Sequence, residues 1–135
     1  MRTEVLQALR DSGPGGRFAL ASELVTTDVI LQRWASSVGD GLPTDRWDDR
    51  PVVKLPPLPD DVAIVVDQYV IKSPRRTRDI VSRWYKTPEP AETIAGRLGM
   101  SRASLYTYRS IALNFMRWKF EGSDNAQLVR LVRGS

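Results

Sequence analysis

The sequence predicts an all-α fold: a small helical domain built around a helix-turn-helix, with a proline-rich irregular connector in front of it. Three observations carry this reading. Apolar residues recur at helical spacing through residues 20–38, 60–72, 75–86 and 91–120. The β-branched run within 60–72 has no second clear strand to pair with. Between residues 91 and 120 a glycine and a serine punctuate the pattern where a tight turn between two helices needs them.

Residues 1–11 read as a short helix with Val5, Leu6 and Leu9 on one side, ended by Ser12-Gly13-Pro14-Gly15-Gly16. That glycine-rich run is no phosphate loop, because no strand precedes it and no Gly-Lys-Ser/Thr follows. Residues 20–38 place Leu24, Leu31, Trp34 and Val38 at roughly helical spacing, against the weak helix preference of the Val-Thr-Thr run. Trp34 is read as core. Residues 39–60 hold five prolines and no periodic face, which describes an extended, stiff connector. Trp47 lies in it, and the default for a loop tryptophan is to tuck over the core.

Residues 60–72 align Val62, Val65, Val66, Tyr69 and Val70 on one face, and Asp60 and Asp61 suit a first helical turn. Ser73 closes this helix and is expected to cap the next, with Pro74 at its first position. Residues 75–86 carry the stripe Ile80, Val81, Trp84 and Tyr85, with Arg75, Arg76, Arg78, Arg83 and Lys86 around it. A helix starting at Pro90 or Ala91 runs to Leu98. Gly99 supplies a left-handed turn, Ser101 caps the next helix, and that helix runs from Arg102 to about Phe120 and stops at Gly122. Ile94, Ala95, Leu98, Met100, Leu105 and Tyr108 are expected to face inward, followed by Ala112 and Phe115. Ala95 is small because the second helix crosses close by. Residues 123–135 form a tail that packs back as a helix or strand, or frays. The expected division is 1–59, N-terminal helical segment and connector; 60–122, helix-turn-helix domain; and 123–135, tail.

Composition narrows the chemistry. The chain has 135 residues, no cysteine and no histidine. Disulfides, the usual zinc sites and Ser–His–Asp or Cys–His catalysis are therefore excluded. The acidic pairs Asp48-Asp49 and Asp60-Asp61 are poorly arranged to share one ion, since neighbours on an extended chain point apart. No metal, cofactor or enzymatic activity is expected. Nothing approaches a membrane span and the first residues lack a secretory pattern, so a cytoplasmic protein is expected.

Charge is divided unevenly. Residues 1–60 hold 7 Lys/Arg and 9 Asp/Glu, net −2, while residues 72–119 hold 11 against 3, net +8. A basic back half that coincides with a helix-turn-helix pattern points to double-stranded DNA. Side chains near the start of the second helix would reach base edges first: Ser101, Arg102, Ala103, Tyr106 and Thr107, with Ser110 one turn on. Arg102 is the best base reader, because arginine grips guanine with two hydrogen bonds. Ser101, Thr107 and Arg109 suit phosphates, as do Arg75, Arg76 and Arg78 on the preceding helix.

The run AETIAGRLGMSRASLYTYR resembles the DNA-binding region 4 of bacterial sigma factors. Over about residues 28–122, the order LQRWASSVGDGLP, DDVAIVVDQYV, a basic helix and SRASLYTYR resembles the antitermination protein Q family of lambdoid phages. The resemblance implies binding at a phage late promoter and engagement of the host RNA polymerase holoenzyme, which then reads through terminators. It assigns Arg102, Tyr106, Thr107 and Arg109 to DNA. It leaves the N-terminal helices and the Trp47 segment for polymerase or a second copy of the chain. Some antiterminators of this functional group carry zinc; the absence of ligands here implies the zinc-free kind. The competing readings are a sigma-like or repressor-type regulator without antitermination, a pure protein-interaction module, and a recombinase or transposase fragment. The last lacks any catalytic cluster to support it.

Overall fold

The computed structural model describes residues 21–38, 55–87 and 89–134, and they are helical with no strand among them. A 3₁₀ turn at Ser22–Leu24 leads into α1 (Val25–Val38). Then come α2 (Asp60–Lys72), α3 (Arg75–Lys86), α4 (Ala91–Arg97), α5 (Arg102–Glu121) and α6 (Ala126–Arg133). None of the described helices is long and apolar enough to cross a membrane. The expected helix at 1–11, the glycine-rich break, most of the connector and Trp47 lie outside the described residues.

The 20-residue α5 is the axis of the fold. It packs against α1, α2, α3, α4 and α6, and at 1.5 Å per residue it is about 30 Å long. Its buried residues are Leu105, Tyr106, Arg109, Ala112, Leu113, Met116 and Phe120. This places the inward face one position away from part of the expected one. Tyr108, expected inside, is exposed, and Phe115 is only partly buried. Steps of four, three, four and four (105, 109, 112, 116, 120) keep one face turned to the core, and Tyr108 falls off that line.

The other faces agree better with their periodicity. α2 buries Val62, Ala63, Val66 and Val70, with Val65 and Tyr69 partly buried against them. α3 buries Ile80, Val81, Trp84 and Tyr85. Ser73, however, does not cap α3. Its hydroxyl donates back to the Tyr69 carbonyl at 2.6 Å and approaches the Met116 sulfur at 3.5 Å. Pro74 takes the cap position, so the cap lies one residue later than expected, and Pro74 offers no side-chain bond there.

The core crosses both boundaries drawn from the sequence. α1 buries Ile30, Leu31, Trp34 and Ala35, and the Trp34 indole donates to Asp67 of α2 at 3.2 Å. The last residues of the connector are pinned to α1: Arg33 donates to the carbonyls of Pro56 and Pro57, and Ser37 accepts from the Leu58 amide. Residues 123–134 are not a loose tail. Asn125 caps α6 by accepting from the Leu128 amide at 3.0 Å, Leu128 and Val132 are buried, and Thr26 of α1 donates to the Val132 carbonyl at 2.6 Å.

Candidate nucleic-acid interface

The turn between α4 and α5 is built from backbone bonds that the sequence anticipates. The Met100 amide donates to Ala95 at 3.0 Å and the Gly99 amide to Gly96 at 3.2 Å. This pair of bonds closes a helix through a left-handed residue. Gly99 is that residue, with φ of 69°. A β-carbon there would meet nothing within 4 Å, so glycine is needed for its backbone conformation rather than for space. Ser101 then starts α5, its hydroxyl oxygen accepting from the Ser104 amide at 3.1 Å. Ile94 and Ala95 are buried beneath, which lets α4 lie close to α5 as the small Ala95 implies.

Beyond the cap, Ser101, Ala103 and Thr107 are exposed, and Arg102, Ser104 and Ser110 are half-buried. Thr107 returns its hydroxyl to the Ala103 carbonyl. Arg102 is held from two sides. Its Nη1 lies 3.3 Å from Glu92 of α4, and a hydrogen bond with the Tyr106 side chain, together with Glu92, raises its pKa further. The Glu92 partner is well exposed, so this ion pair is weakly held and open to exchange for another anion.

Three of the expected α3 arginines divide into two groups. Arg75 is 88% exposed and 3.9 Å from Asp79, and Arg76 lies 4.6 Å over the Tyr108 ring. Both line a cleft of about 380 Å³ with Asp79, Leu98 and Met100, which brings the start of α3 beside the α4–α5 turn. Arg78 turns away and donates to the Ile71 carbonyl at the end of α2, a use of cations typical of helix C-termini. That solvent-exposed bond, at 3.4 Å, joins α3 to α2.

Two expected contacts are overturned. Arg109 is 3% exposed and bound to Asp28 of α1 at 3.1 Å, with its guanidinium 4.5 Å over the Trp84 ring. The Tyr85 hydroxyl donates to the same Asp28 oxygen, and the other oxygen accepts from Gln32 at 2.8 Å. Burial, and then the Asp28 charge, push the Tyr85 hydroxyl well above its ordinary pKa. Tyr106 is 5% exposed and meets Trp84 edge to face at 5.8 Å. Both side chains are buried beneath the surface that was expected to bear them. One signal for Arg109 was present: it stands in step with Leu105, Ala112 and Met116. Glu92, Tyr108 and the cleft residues Asp79, Leu98 and Met100 are side chains of this surface that the sequence reading did not assign to it. No family model, curated protein sequence or solved structure matches the chain.

Proposed function

We propose that this protein is a sequence-specific DNA-binding transcription antiterminator that acts on RNA polymerase so that it passes terminators. The observation that best supports DNA binding is the exposed start of α5. It offers Ser101, Arg102, Ala103 and Thr107 on a capped helix, with Arg75 and Arg76 beside it. On this reading Arg102 leaves Glu92 for a base edge, Arg75 and Arg76 hold phosphates, and Ser101 and Thr107 fix the approach. Tyr106 and Arg109 shape the helix from inside. The antitermination step rests on the resemblance in residue order to the protein Q family.

Selection of bound duplexes from a random pool supplies a target, and anisotropy titrations then test the contact. Arg102→Ala is expected to weaken binding by about 1–3 kcal/mol and to relax preference at one base pair. An equal loss on every sequence would make Arg102 a phosphate contact. In vitro transcription across a terminator tests the second step. Read-through that depends on the upstream site supports antitermination; repression or activation without read-through supports a simple regulator.

A further inference from the structure

α5 carries an apolar stripe that the described fold leaves largely uncovered, with Phe115 alone partly buried. Tyr108, Ile111, Phe115 and Trp118 recur at steps of three, four and three, which aligns them along one side of a helix. Trp118 is 65% exposed, Ile111 54% and Tyr108 37%, and the Phe115 and Trp118 rings are 6.2 Å apart. At helical rise the stripe is about 15 Å long. A single exposed apolar residue needs no explanation, but a tryptophan in line with an isoleucine and a tyrosine is the composition of a contact surface.

Cations stand at both ends. Lys119 Nζ is 5.0 Å from the Trp118 ring and 5.6 Å from the Phe115 ring, and Arg76 lies over Tyr108. Among the described residues neither forms an ion pair. These charges select the occupant. A second copy laid antiparallel would set Tyr108 against the other Trp118, and hence Arg76 against Lys119, like charge on like. A single nucleic-acid strand asks for open ring faces, yet cations lie over these rings, and Phe115 and Trp118 are inclined at 57°. An amphipathic helix with carboxylates along its edges satisfies both features.

We propose that the Tyr108–Trp118 face of α5 docks an acidic amphipathic helix of another protein. The proposal shares Arg76 and Tyr108 with the candidate DNA surface but does not rest on DNA binding, because Trp118 and Lys119, the residues its test changes, lie outside the candidate DNA contacts. The probe is a labelled helical peptide of about 16 residues with leucines at the same spacing and glutamates flanking them. Anisotropy against the full chain is expected to give a Kd of tens of micromolar, and Trp118→Ala or Lys119→Glu to weaken it at least tenfold, on the order of 1.4 kcal/mol. Duplex binding and circular dichroism of Trp118→Ala should stay unchanged, which separates docking from DNA reading and from misfolding. Absence of binding, or equal binding of a peptide with lysines in place of glutamates, would overturn the proposal. So would self-association in sedimentation, or capture of a single-stranded oligonucleotide, that Trp118→Ala abolishes.

Discussion

Arg109 sits where a helix surface would suggest a DNA contact, and the fold uses it as a buried counter-ion. Its partner, Asp28, also accepts from Tyr85 and Gln32, so one carboxylate joins α1, α3 and α5. Breaking such a pair leaves an uncompensated charge in the interior. Arg109→Gln is expected to cost about 3–5 kcal/mol of stability in urea unfolding. Specific DNA affinity per folded molecule should not change; a loss there, with stability intact, would return Arg109 to the DNA surface. Tyr85 adds a pH dependence. Its folded pKa is raised by burial and by Asp28, so its contribution is complete below the unfolded value of about 10 and is lost as pH rises further. Urea midpoints should fall above pH 10 in the native chain, and Tyr85→Phe should flatten that decline.

At the scale of elements, the turn between α4 and α5 isolates a backbone effect. Gly99 is left-handed and its surroundings are open, so Gly99→Ala is expected to cost about 1–2 kcal/mol with no steric component. Gly99→Asn should cost less, since asparagine tolerates this conformation; equal losses for the two would locate the cost in contacts instead. This turn, the Ser101 cap and the buried faces of α2 and α3 were legible in the sequence because each depends on residues a few positions apart. The face of α5 was less legible. It is packed by five other helices, and Tyr106 and Leu113 are buried by neighbours whose positions no local spacing encodes, whereas Arg109 at least stands in step with Leu105 and Ala112. Asp28 lies 81 positions from Arg109, and nothing in the spacing of either residue signals the other.

At the scale of the whole molecule, one core extends from Leu24 in the 3₁₀ turn to Val132 in α6. The charge asymmetry of the sequence invites a cut near residue 60, but α1 fills the space that α2, α3 and α6 leave. Residues 60–122 expressed alone would lose Trp34 and Leu128 from their packing and leave Arg109 without Asp28. Such a fragment is expected to show no cooperative thermal transition, whereas the full chain should melt in a single step by circular dichroism and by tryptophan fluorescence. A cooperative melt of the fragment would restore the boundary. The long-range charge is also thinner than its linear count: Arg109 is internal, Arg78 serves α2, and Arg83 and Arg97 share Glu89.

α5 is one uninterrupted α-helix with no glycine or proline between Arg102 and Glu121, the residues at which sharp kinks most often arise. It is therefore a stiff shaft with a proposed DNA end and a proposed protein end. On the proposed reading, anything seated at Trp118 would be held at a fixed azimuth around the duplex from the bases that Arg102 would meet. Cooperation with a second DNA-bound factor then becomes a question of helical phase. Inserting about half a turn of DNA between the two sites puts them on opposite sides of the duplex, and a further half turn, completing roughly 10 base pairs, brings them back into register.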